Sequence, residues 1–99
     1  MVLIFHKIHG SSQESVLAVC DKELCGKTLK EGKIDFVVSQ SFYKGSEIKE
    51  EELRKKLHEF ENVNIVGNKA VGIAVEESLV SNENVIKIAG IKHVQIFKI

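Results

Sequence analysis

Eight residues, Cys20 to Lys27, hold most of the reactive groups of this chain: two thiols, the carboxyls of Asp21 and Glu23, the ammonium groups of Lys22 and Lys27, and a glycine at 26. Three chemistries are open to such a run, and each fails on a specific count. A structural zinc site needs four ligands. Cys20 and Cys25 have the C-x4-C spacing at the loose end of what a zinc knuckle uses, and the other two ligands would have to come from His6, His9, His58 or His93. His6 and His9 are an odd number of residues apart and point to opposite faces of one strand, and His58 belongs to a separate helix. Thiol catalysis needs a base beside the sulfur and a polar, partly open setting, and no family-type signature surrounds either cysteine. Gly26-Lys27-Thr28 resembles the tail of a phosphate loop, but the motif requires glycine where Asp21 stands. The expectation is therefore no metal, no cofactor and no catalytic residue. Asp21, Glu23, Gly26 and Lys27 remain as a charged turn at a strand end, and Cys20 as a small core residue.

Two further places carry binding chemistry. Gly67-Asn68 opens an apolar helical stretch, so its free amides and helix dipole could hold an anion, with Asn64 helping from just before; the plainer reading makes Asn68 the helix cap. His93 and Gln95 share a face of the last strand with Phe97, and residues 84–99 hold Lys87, Lys92 and Lys98 with no acid. A basic strand with an aromatic residue suits RNA contact; the plainer reading is a structural histidine.

The elements that position these groups follow from periodicity. Val2 to Ile8 alternates as a strand, and His9-Gly10-Ser11-Ser12-Gln13 has turn chemistry. Val16 to Cys20 is continuously apolar, as a strand buried on both faces is, and the two runs form a hairpin. Asp21 caps a short helical turn through Leu24 or Cys25, ended by Gly26. Ile34 to Val38 is a third strand, followed by a loop carrying Phe42 and the single tyrosine, Tyr43. Lys49 to Phe60 is a helix with Leu53, Leu57 and Phe60 on one face, laced by Glu50–Arg54, Glu51–Lys55 and Glu52–Lys56 pairs. Residues 62–68 link it to a second helix running to Leu79, apolar nearly all round and hence buried. Gly72 in its middle costs about 1 kcal/mol relative to alanine, which close packing on the sheet would explain. Val85 to Ile88 and His93 to Ile99 are the last strands. The expected fold is α+β, a single mostly antiparallel sheet of about five strands with two helices on one face, in the order β-β-β-α-α-β-β.

Composition bounds the rest. Ninety-nine residues, 43% hydrophobic, suffice for one domain over residues 1–99 with one core and no large interdomain cleft. Lys+Arg and Asp+Glu are both 14, which argues against strong non-specific nucleic-acid binding. No apolar run reaches membrane-span length and the first residues do not read as a signal peptide, so the expected setting is soluble and cytoplasmic with reduced thiols.

Four motifs in order carry a resemblance: Cys-Asp-x-Glu-Leu-x-Gly-Lys-Thr-Leu (Cys20 to Leu29), Ser-Phe-Tyr-x-Gly (Ser41 to Gly45), Asn-x-Val-Gly (Asn64 to Gly67) and Val-Ile-x-Ile-Ala-Gly-Ile-x-His-Val-Gln (Val85 to Gln95). The chain resembles a family of small, stand-alone archaeal proteins catalogued as a conserved domain of unknown function. The resemblance implies a cytosolic protein tied to translation by gene context, and it supplies no catalytic residues. Cys25 stands where that pattern commonly has an aliphatic residue, and Lys92 where it commonly has proline.

The sequence thus points to a non-catalytic binding module, associated with the ribosome or an RNA-associated protein. Its surface would join Asp21, Glu23, Gly26 and Lys27 with Tyr43, Asn64, Gly67, Asn68, His93 and Gln95. One alternative is an enzyme or small-ligand binder with Asp21, Glu23, Lys27 and His93 around one pocket. A second is a structural homo-oligomer that covers an edge strand with a symmetry mate.

Overall fold

The most buried strand organises the fold. In the computed structural model, which describes residues 3–10 and 15–98, β2 (Val16–Asp21) has Leu17, Ala18, Val19 and Cys20 all fully buried, as its unbroken apolar run predicts. Val2, Ser11, Ser12, Gln13 and Ile99 of the predicted strands and turn lie outside the described residues. β1 (Ile4–His9) pairs antiparallel with β2, so the expected hairpin is present.

The other neighbour of β2 is not an expected strand. Asn62–Val66, read from sequence as a linker, is β6, and it runs parallel to β2. Parallel neighbours need a long crossover, and residues 22–61 provide it. Along it lie a 3-10 turn (Lys22–Leu24), the hairpin β3 (Thr28–Glu31) and β4 (Ile34–Val37), a one-turn helix α1 (Gln40–Tyr43), β5 (Ser46–Ile48) and α2 (Glu50–Leu57). After β6 come α3 (Asn68–Glu76), a second 3-10 turn (Asn82–Asn84), β7 (Ile86–Ile88) and β8 (Ile91–Phe97). The main sheet has six strands in the order β5-β1-β2-β6-β8-β7, and β3–β4 form a separate two-stranded sheet. The α+β class stands. The main sheet is mostly antiparallel, as expected, but the parallel β2–β6 pairing makes it mixed; it has six strands rather than about five, the β3–β4 pair stands apart from it, and there are three helices among the described residues.

Alternation along the strands divides the core. On one face Leu17, Val19, Val63, Ile65, Val94 and Ile96 pack against Leu53 and Leu57 of α2 and Ala70, Val71, Ile73 and Ala74 of α3. On the other, Ala18, Cys20 and Val66 meet Leu24, Leu29, Val38, Tyr43 and Ile88. The crossover's hairpin and α1 therefore form a second, partial layer that the periodicity did not reveal.

Two local expectations are corrected. Of the three pairs along α2, Glu50–Arg54 forms at 3.0 Å, but Arg54 also reaches across to Glu76 and Glu77 of α3, at 2.7 and 3.0 Å. Glu51–Lys55 and Glu52–Lys56 are not among the ion pairs of the described residues, and Lys56 is half-buried. Gly72 is not packed on the sheet: a Cβ placed there would meet no heavy atom within 4 Å.

Candidate functional site

Because β2 and β6 are parallel, their C-terminal ends lie side by side, Cys20 opposite Val66. Asp21 ends one strand, and Gly67 leads from the other into α3. Asp21 sits before the 3-10 turn but makes no side-chain cap there. Its carboxylate points to the helix-bearing face instead, where Oδ1 accepts from the Ala70 amide at 2.9 Å and Oδ2 from the Lys69 amide at 3.0 Å. Asp21 is thus the cap of α3, supplied from a distant strand. Gly67 makes room for it: at φ +123° only glycine is comfortable, and a Cβ would fall 2.3 Å from Asp21 Cγ. Burial raises the Asp21 carboxyl above its ordinary value, with the two amide bonds opposing the shift.

Those amides were the expected anion site, and the protein's own carboxylate fills it. Nor does Asn68 cap the helix. Its Oδ1 accepts from the Lys92 amide at 2.8 Å while the Gly67 amide donates to the Lys92 carbonyl at 2.8 Å, so Asn68 and Gly67 fasten the start of β8 to that of α3. Glu23 and Lys69 border a small cavity of about 90 Å³ with Leu3 and Asp21. Gly26 and Lys27 belong to the other layer: the Gly26 amide donates to the Val38 carbonyl at 2.7 Å, and the Lys27 carbonyl accepts from the Val38 amide at 2.8 Å.

The opposite face of the sheet gathers the remaining predicted residues. His93 stands across from Val66, and Gln95 across from Asn64. The His93 ring lies 4.8 Å from Phe36 of β4, under the hairpin layer. Its Nδ1 lies 2.9 Å from the Ile65 carbonyl, which can only accept, so Nδ1 carries the proton. Burial lowers the His93 pKa and favours the neutral ring. Tyr43 is buried; its hydroxyl donates to Asn64 Oδ1 at 2.6 Å, and burial raises its phenol well above the ordinary value.

Beyond that layer the face opens. Gln95 is exposed, Asn62 and Asn64 are half-buried, and Phe97, opposite Asn62, is 71% exposed. Asn62 Oδ1 is buried with no hydrogen-bond partner among the described residues. On the far side of β2, His9 stacks on Phe42 with centroids 4.6 Å apart, its Nε2 donating to the Phe42 carbonyl at 2.7 Å. The sequence does not single out Asn62, and it points to His9 only as a candidate zinc ligand and to Phe42 only as a loop residue. The alternation Asn62-Val63-Asn64-Ile65 was the available signal for the first, because a strand that buries Val63 and Ile65 must present both asparagines on its other face.

The ten predicted residues therefore form two groups. Asp21, Glu23, Gly67 and Asn68 lie towards the start of α3, while Tyr43, Asn64, His93 and Gln95 line the opposite face, with Gly26 and Lys27 in the hairpin layer on that side. Asp21 and His93 project to opposite sides of the sheet, so they cannot share one reaction centre. Cys20 is buried, and burial first, then the neighbouring Cys25 thiol, pushes its thiol up to about 12; such a sulfur is a poor nucleophile at neutral pH. Among the described residues no three His, Cys, Asp or Glu side chains are grouped to hold a metal ion, and no helix is long and apolar enough to cross a membrane.

Fold and site define a small α+β protein whose mixed sheet is closed by helices on one side and half open, with carboxamides and an aromatic ring, on the other. The chain belongs to the family described as "Protein of unknown function (DUF424)", which matches residues 9–99. It is similar to an uncharacterized conserved protein from Methanopyrus kandleri, whose crystal structure shares 27% sequence identity with it. The similarity covers 97% of this chain and 93% of the other with a TM-score of 0.76. No curated protein matches it.

Proposed function

We propose that this protein is a non-catalytic binding module, acting in the cytoplasm with translation or ribonucleoprotein partners, and that its working surface is the open half of the sheet. The observation that carries the reading is the cluster Asn62, Asn64, Gln95 and Phe97. Asn64 Oδ1 is occupied by the Tyr43 hydroxyl, so its NH2 group is left to donate outward. Gln95 beside it both donates and accepts, and Phe97 offers an exposed ring. A flat ligand with a hydrogen-bonding edge fits such a surface, and an unstacked base of single-stranded RNA is one. The balanced charge of the chain favours contact with bases over indiscriminate attraction to phosphates.

The test is fluorescence anisotropy with short single-stranded RNAs of varied sequence. Stacking contributes about 1–3 kcal/mol per base, so Phe97→Ala should weaken binding by roughly 5- to 150-fold, and Gln95→Ala should change which sequences bind. RNA binding that both variants leave unchanged rejects this surface. Absence of any RNA binding, together with nuclease-insensitive pulldowns from native lysate, rejects the RNA partner.

A further inference from the structure

The β7–β8 hairpin carries a pair of charges that nothing else in the fold uses. Lys87 and Lys92 stand directly opposite each other in its antiparallel register. Their Cβ atoms are therefore about 5 Å apart on the same side, an arrangement in which like charges repel. Both line one open cavity of about 350 Å³, with Asn82 and Val85 as its other walls.

Nothing among the described residues neutralises the pair. Among the described residues neither ammonium group takes part in an ion pair, whereas Lys22 is paired with Glu47 and Lys69 with Glu50. Lys7 and Lys98 instead donate to the carbonyls of Ser41 and Leu57. Glu31 Oε1 accepts from the Ala89 amide at the hairpin tip, and Glu83, in the turn beside Asn82, forms no ion pair with either lysine among the described residues. The strand is not free to relax the repulsion either. Lys92 is held through both backbone groups by Asn68 and Gly67, at the positive end of α3.

We propose that the Lys87–Lys92 cleft binds phosphate. Two ammonium groups facing one cavity match an oxyanion that carries more than one negative charge or several acceptor oxygens, and lysine serves such groups as a point charge. Asn82 adds a carboxamide at the rim, and Val85 gives an apolar wall for whatever bears the phosphate. The phosphate belongs either to a small phosphomonoester or to a nucleic-acid backbone. The pair projects to the opposite side of the sheet from Gln95, so this site stands or falls separately from the carboxamide surface.

Thermal unfolding of the intact protein, with inorganic phosphate as the probe and chloride at matched ionic strength as the reference, tests the site. Saturating phosphate should raise the melting temperature by about 4 °C beyond chloride. Lys87→Gln and Lys92→Gln should each remove most of that rise. Both should also melt no lower than the parent without phosphate, because the repulsion is gone. Lys55→Gln, on α2, should keep the full response. A single-stranded RNA titration over a range of salt then separates the sources. A backbone phosphate at the site lowers the slope of log K against log salt by about 0.7 for each lysine removed, and a small phosphoester leaves that slope unchanged. Phosphate that does no more than chloride, or variants that respond as the parent does, would overturn the proposal.

Discussion

Asp21 joins three parts of the molecule through one carboxylate. It ends β2, precedes the 3-10 turn, and satisfies two amides at the start of α3 from 48 and 49 residues away in sequence. A cap of this kind is worth about 0.5–2 kcal/mol, and burying the freed amides adds to the loss. Asp21→Ala should therefore lower stability by roughly 2–3 kcal/mol in urea unfolding, with the main sheet retained by circular dichroism. A loss within error of zero would mean that water replaces the carboxylate at those amides. The same reading gives Gly67 its reason, since any side chain there would displace the carboxylate.

At the scale of elements, α3 shows which sequence signals are packing and which are not. Its apolar positions face the sheet as periodicity predicts, yet Gly72 has open space around it. Nothing offsets the helix-weakening effect of that glycine, so Gly72→Ala should stabilise the protein by about 0.5–1 kcal/mol, read from the urea midpoint at constant m-value. Destabilisation would mean that the helix needs to bend at this position. α2 shows the converse: its regular acid–base ladder suggested pairs within the helix, but the planar fork of Arg54 holds Glu76 and Glu77 of α3 as well as Glu50. One side chain links two helices where the sequence pattern showed only one.

Across the whole molecule, stability should depend on pH in a way set by His93. Its folded-state pKa is depressed by burial, so the unfolded chain binds a proton more readily. Stability is then full above the ordinary histidine value near 6.5 and declines as pH falls through and below it. Urea midpoints should fall between pH 7.5 and 5, and His93→Gln should flatten that slope. An equal slope in the variant would assign the effect to other groups. Glu50 and Glu77, held below the ordinary carboxylate value by Arg54 and His58, act on the acid side of about pH 4.5, outside this range. Asp21, shifted upward, acts in the opposite sense in parent and variant alike.

The sequence by itself determined the class of fold, the two-sided burial of β2, the β1–β2 hairpin, the main faces of α2 and α3, and the family. These rest on local periodicity, which the chain carries wherever it folds. It also placed His93 and Gln95 on one face, because alternation along a strand needs no partner. Only the tertiary structure decided that Asn62–Val66 is a central strand parallel to β2, since five residues flanked by turn signals suit a linker as well as a short strand. Only it decided where the Asp21 carboxylate goes, because a cap can come from any strand end that reaches the helix. The placement of Lys87 opposite Lys92 likewise required the register of β7 on β8. Periodicity tells each residue which face it takes, and strand pairing across dozens of residues tells it what stands opposite.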